Sequence, residues 1–218
     1  MGSLHLVRHG QTTSNVMARL DTRLPGAGLT DFGARQAVRF ALERPHAAPA
    51  ALFCSYARRA RETADLIGSV WGVEAQPIEG IHEVQVGDLE DRNDKPSVDG
   101  FADLIKQWYA GKTDVSIGNS DTLETLFDRY LPVIERLRAT HLTDPEAPDI
   151  YVVSHGAAIR LVAAHLANVD EDYALEHALP NTGSIELSHT SGSWDCVHWG
   201  GDVPTRPTEG TGTSDPMG

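Results

Sequence analysis

Three short apolar runs break off into residues that a buried strand rejects. LHLVR (4–8) leads into His9-Gly10, AALFCS (50–55) leads into a cluster of arginines, and DIYVVS (149–154) leads into His155-Gly156. Runs this short and this apolar read as buried strands. Longer stretches with helical spacing alternate with them: LTDFGARQAVRFALE (29–43), RRARETADLIGSVWG (58–72), DTLETLFDRYLPVIERLRATH (121–141) and AAIRLVAAHLA (157–167). A short strand and loop fall in 74–84, and a helix near 97–110 sits in the otherwise irregular, polar stretch 85–120. Residues 183–189 and 193–199 alternate like a terminal hairpin about Ser191-Gly192. Strands alternating with helices predict a single α/β domain, a mostly parallel central sheet with helices on both faces and a C-terminal hairpin.

The chain has 218 residues, 40% of them apolar, enough for one sizeable core. The expected domain covers 1–200. The Gly-, Pro-, Thr- and Ser-rich tail 201–218 lacks core formers and is expected to be disordered. No run approaches the ~18 apolar residues of a membrane helix, and no signal peptide is visible. The net charge of −13 repels a phosphate backbone, which argues against nucleic acid as a partner. Arginine clusters stand out against that field. Two distant cysteines, Cys54 and Cys196, read as free thiols of a cytoplasmic protein.

In open parallel sheets, ligands bind beyond the carboxyl ends of the strands. Arg8, His9 and His155 therefore meet over one crevice. Arg58, Arg59 and Arg61 open a helix beside it, where free backbone N–H groups already favour anions. A further loop carries His82 and Glu83. Two arginines, two histidines and a carboxylate suit phosphate chemistry. Arginine grips phosphate oxygens in pairs. One neutral imidazole can attack phosphorus, and the second can donate to the equatorial oxygens. The carboxyl group can protonate the leaving alcohol and then take a proton from water. This scheme calls for no metal and no cofactor. The remaining histidines (5, 46, 82, 141, 165, 177, 189 and 198) show no zinc-type spacing and read as core or surface residues.

LVRHGQTTSN resembles the RHG signature of the histidine phosphatase (phosphoglycerate mutase-like) superfamily. LTDFGARQA, CSYARRARETA and VVSHGAAIR resemble three further segments of that family, in family order. The resemblance implies that His9 is the phosphorylated nucleophile, Arg8 and Arg59 the phosphate-binding arginines, and His155 with Gly156 the second half of the pocket. It also implies that Thr12 and Asn15 line the phosphate site and that Glu83 is the proton donor. Arg58 and Arg61 read as solvated or ion-paired. Tyr56 stands where the family usually has proline, and the region 84–120 lacks the arginine-rich E-R-x-Y-G insertion of glycolytic mutases. The expected activity is therefore hydrolysis of small phosphorylated metabolites. A cofactor-dependent phosphoglycerate mutase and a catalytically silent phosphate-binding module are the alternatives. A homodimer is left open.

Overall fold

The computed structural model describes residues 2–204 apart from 46, 48 and 145. His46 and most of the expected tail, 205–218, lie outside the described residues. Strand β1 (Leu4–Arg8) is followed by a four-residue helix α1 (Thr13–Val16), helix α2 (Asp31–Leu42), strand β2 (Ala51–Ser55), helix α3 (Arg58–Trp71) and strand β3 (Ala75–Ile78). Helices α4 (Lys95–Tyr109) and α5 (Leu123–His141) precede strand β4 (Ile150–Ser154) and helix α6 (Gly156–Ala167). Helix α7 (Glu171–Glu176) leads to the hairpin β5 (Ser184–Thr190) and β6 (Ser193–Trp199).

The strands form a sheet in the order β3-β2-β4-β1-β5-β6. Neighbours from β3 to β1 run parallel, and β5 and β6 join antiparallel. β1, β2 and β4 are mostly apolar and buried almost throughout because helices cover both faces. Leu4, Leu6, Phe53, Ile150 and Val152 point into one core with α5 and α6. Val7, Leu52, Cys54, Tyr151 and Val153 point into the other, with Ala37 and Phe40 of α2 and Ala60, Ala64 and Ile67 of α3. The strict alternation of the two sets is the period-2 pleat read through side chains. β3 carries Pro77, which an edge strand tolerates. The hairpin turns at Ser191-Gly192, both with positive φ, at 54° and 88°.

Caps explain where the helices begin. Thr30 Oγ1 accepts from Gly33 N at 3.0 Å, and Thr122 caps α5 through a reciprocal bond with Thr125. Asp94 caps α4, so this helix begins two residues before the expected 97. Asp170 opens α7 in the same way, within an acidic trio that reads equally well as a solvated face. Pro132 lies inside α5 without ending it. α1 leaves no mark in the hydrophobic pattern, because its four residues have too little of one. It exists through a capping box between Thr12 and Asn15.

The loop after β1 is clamped against the start of α2. A Cβ on Gly33 would lie 2.1 Å from the Gln11 carbonyl oxygen, and one on Gly10 would lie 2.6 Å from the Gly33 carbonyl oxygen. Both neighbours are backbone, so neither yields cheaply. Gly33→Ala is expected to destabilise the fold by about 1–3 kcal/mol and to displace the segment that follows His9. Thermal denaturation checks the first effect; an unchanged melting temperature would show that the loop relaxes freely.

Candidate active site

β1 and β4 pair in parallel with Arg8 opposite Ser154. The residues after each strand, His9 and His155, therefore sit side by side, with ring centroids 5.4 Å apart and planes inclined at 62°. Both are buried. His9 Nδ1 lies 2.7 Å from the Gly10 carbonyl oxygen, which only accepts, so Nδ1 carries the hydrogen and Nε2 presents a bare lone pair. His155 Nε2 lies 3.0 Å from Ser55 Oγ. That hydroxyl accepts from Ala57 N at 3.3 Å, which leaves its hydrogen for the imidazole. His155 Nδ1 is then the protonated nitrogen, and among the described residues it has no hydrogen-bond partner.

Burial pushes both imidazoles well below the ordinary histidine range, and the nearby Arg59 cation pushes them the same way. His9 is therefore neutral at pH 7, as a nucleophile must be. Arg59 is itself buried, with Nη1 unpartnered and Asp21 Oδ1 3.7 Å away. It opens α3, where Thr63 Oγ1 donates to its carbonyl oxygen at 2.7 Å and accepts from Gly10 N at 3.0 Å. Arg8 donates through Nη1 to the Leu179 carbonyl oxygen at 2.7 Å, and its Nε is buried without a partner. A Cβ at Gly156 would come within 3.1 Å of that Nε, so glycine lets the guanidinium pass the first turn of α6. The unpartnered donors of Arg8, Arg59 and His155 are what a tetrahedral oxyanion would satisfy, and the bare nitrogen of His9 is a lone pair free to act as a nucleophile.

Glu83 is half-buried and docks on the N-terminus of α6. Its carboxylate accepts from Ala157 N at 3.2 Å, Ala158 N at 2.9 Å and Val84 N at 2.9 Å. Thr12 and Asn15 follow His9 in the loop after β1, and their side-chain oxygens build the α1 cap. Thr12 Oγ1 accepts from Asn15 N at 3.1 Å, and Asn15 Oδ1 accepts from Thr12 N at 3.0 Å. Arg58 pairs with Glu62 on the surface and Arg61 is exposed, as expected of each. Among the described residues no group of histidines, cysteines and carboxylates has the arrangement of a metal site.

Sequence reasoning missed three residues that hold this site together. Arg129 of α5 donates to the carbonyl oxygens of Gly80, His82 and Glu83 at 3.0, 2.7 and 2.9 Å, and pairs with Asp121 at 3.1 Å. Asn181 donates to the His9 carbonyl oxygen at 3.0 Å and to Asn15 Oδ1 at 3.2 Å. Glu90 accepts from Thr22 N at 2.9 Å and Arg23 N at 3.0 Å, which ties down the loop that follows α1. None of them lies in a local motif. Each acts across a gap in sequence that only the fold closes.

Arg129→Gln is expected to strand the carbonyl oxygens of Gly80 and His82, while Glu83 O keeps its bond from Gln85 Nε2 at 3.0 Å, and to lower stability by about 2–4 kcal/mol. It should also lower activity through the displaced Glu83, which kinetics at a temperature where the variant stays folded would show. A second expectation concerns pH. Below the ordinary histidine value of 6.5 the unfolded chain takes up protons that buried, neutral His9 and His155 refuse. Their effect on stability is nil above pH 6.5 and grows unfavourable as pH falls. His155→Gln should therefore flatten the pH dependence of unfolding between pH 6.5 and 5 by up to about 1.4 kcal/mol per pH unit. Parallel slopes in urea titrations would show that His155 protonates freely in the folded state.

Comparison with known proteins places the chain in a family. A family model for the histidine phosphatase superfamily (branch 1) matches residues 4–202. The PE-PGRS family protein PE_PGRS11 of Mycobacterium tuberculosis (strain ATCC 25618 / H37Rv) is 29% identical over 94% of this chain, which spans 37% of that longer protein. A metal-independent phosphoserine phosphatase of Arabidopsis thaliana is 26% identical, over 81% of this chain and 73% of its own. A protein of Escherichia coli O1:K1 / APEC described as "Probable phosphoglycerate mutase GpmB" is 24% identical, over 91% and 90%. The solved structure of a mycobacterial glucosyl-3-phosphoglycerate phosphatase in complex with VO3 superposes with a TM-score of 0.77 at 23% identity, covering 93% of this chain and all of that one. The chain belongs to the histidine phosphatase superfamily, branch 1.

Proposed function

We propose that the protein is a metal-independent phosphatase that hydrolyses phosphomonoesters of small metabolites through a phosphohistidine on His9. The observation that carries this reading is the neutral, buried His9 with its bare Nε2, set beside unpartnered donors on Arg8, Arg59 and His155. In the first step Nε2 attacks phosphorus and the P–O ester bond breaks. The leaving alcohol takes a proton from the Glu83 carboxylic acid. In the second step water attacks the phosphohistidine, the P–N bond breaks, and Glu83 takes a proton from the water. Arg8 and Arg59 offset the charge of the phosphoryl oxygens, and His155 Nδ1 donates to them as charge spreads. The likeness to a phosphoserine phosphatase and to a phosphatase holding VO3 supports the reading. The unpaired thiols of Cys54 and Cys196 fit a cytoplasmic setting.

The likeness to GpmB favours a second reading, phosphoryl return to a bound phospho-acid rather than to water. One assay separates the two. Metal-free release of phosphate is followed for a panel that includes phosphoserine and 3-phosphoglycerate, with wild type and His9→Ala in parallel. Release should fall by roughly 10³-fold or more in the variant, with the fold intact by circular dichroism, and vanadate should inhibit. Interconversion of 2- and 3-phosphoglycerate without net release would establish the mutase. A His9→Ala protein as active as wild type would sink the covalent mechanism. Glu83→Gln should impair alkyl phosphates far more than aryl phosphates, whose leaving groups need less protonation.

A further inference from the structure

Arg59 is the buried cation of the crevice, and one carboxylate faces it. Asp21 Oδ1 stands 3.7 Å from Nη1, and among the described residues no other carboxylate is within ion-pair reach of Arg59. The distance is short enough for an ion pair and too long for a hydrogen bond. Nη1 accordingly remains buried without a hydrogen-bond partner. The charge of Arg59 is balanced while its donor stays free.

Asp21 is held in this position. Its Oδ2 accepts from Ala27 N at 2.9 Å, which closes the loop 21–27 on itself. The loop is pinned to α3 at two points: Arg58 N donates to the Pro25 carbonyl oxygen at 2.8 Å, and Leu29 N donates to Glu62 Oε2 at 2.7 Å. A Cβ at Gly26 would lie 2.4 Å from Arg59 Nη1 and 2.9 Å from Asp21 Oδ1, so the loop backbone passes directly against both heads. The Asp21 side chain is only 12% exposed, and salt screens such a pair little. Burial disfavours the charged guanidinium; Asp21 favours it most, ahead of Glu83 and Glu90. Those two are engaged elsewhere, Glu83 with the N–H groups of Val84, Ala157 and Ala158, and Glu90 with those of Thr22 and Arg23.

An oxyanion that accepts from Nη1 at ~2.9 Å lies within ~7 Å of Asp21 Oδ1. Two buried negative charges at that separation repel each other. Asp21 therefore acts in opposite directions on the two states of the site. In the empty site it offsets a buried cation. In the filled site the phosphoryl group offsets that cation through hydrogen bonds, and Asp21 is an excess negative charge beside it. Resting on the phosphatase reading above, we propose that Asp21 is a placeholder anion, which keeps Arg59 charged and aimed while the site is empty and loosens the grip on inorganic phosphate after hydrolysis. It is a positioning residue that acts through Arg59 and touches none of the reacting atoms. Its repulsion favours product release, a step that often limits turnover.

The test removes the charge at constant shape with Asp21→Asn and keeps it on a longer arm with Asp21→Glu. Calorimetry should show inorganic phosphate binding about tenfold more tightly to Asp21→Asn than to wild type, with Asp21→Glu close to wild type. Without phosphate Asp21→Asn should melt below wild type, and the gap should narrow or reverse as phosphate is added. In hydrolysis of 4-nitrophenyl phosphate, KM and the inhibition constant for phosphate should both fall about tenfold in Asp21→Asn, whereas a merely structural lesion raises them. Asp21→Ser also drops the charge and supplies the same comparison if Asp21→Asn is too unstable to titrate. Phosphate bound equally or more weakly by the uncharged variant overturns the placeholder and leaves the phosphatase standing. Phosphate bound by neither protein, with no hydrolysis, overturns the phosphatase reading and the placeholder with it.

Discussion

The parallel pairing of β1 with β4 is the constraint on which the rest depends. Its register sets Arg8 opposite Ser154, and that alone brings His9 and His155 to the same level at the carboxyl edge of the sheet. A slip of one residue would turn every side chain of one strand to the opposite core. Leu4 and Leu6 would leave the α5/α6 side, and the two imidazoles would no longer face one ligand. The register is held by burial on both faces, so catalytic geometry and core packing are the same fact seen from two ends.

Around that pair the fold spends stability on polar groups. Arg59 is almost wholly buried with its nearest carboxylate 3.7 Å off, and His155 keeps an unpartnered Nδ1. Burying a cation or an orphaned donor is unfavourable in the absence of a ligand. Close packing elsewhere sustains it: apolar strands on both faces, the backbone contact of Gly10 with Gly33, and the Thr63 hydroxyl that bridges Gly10 to Arg59. A preformed array of donors needs no reorganisation when an oxyanion arrives.

The elements whose signals are local are legible in the chain itself. Apolar runs of five residues mark β1, β2 and β4, and Thr30 marks the start of α2. Arg8, His9 and His155 stand out because no core strand explains them, whereas Arg59 is told from Arg58 and Arg61 only by the family resemblance. Glu83 is singled out only by the family resemblance, and its docking on the first turn of α6 leaves no trace in the chain. Thr12 and Asn15 are expected at the phosphate site; what the structure shows of their side chains is the reciprocal cap of α1.

The sequence by itself determined which segments become buried strands and which charged and imidazole side chains stand at their ends, because hydrophobic period and residue type are local properties. Only the tertiary structure decided how that chemistry is aimed. Arg129 reaches Glu83 across 46 positions, Asn181 reaches His9 across 172, and Asp21 comes to face Arg59. Such contacts depend on strand order and on which face each helix covers. These follow from the cooperative packing of the whole chain rather than from any segment of it.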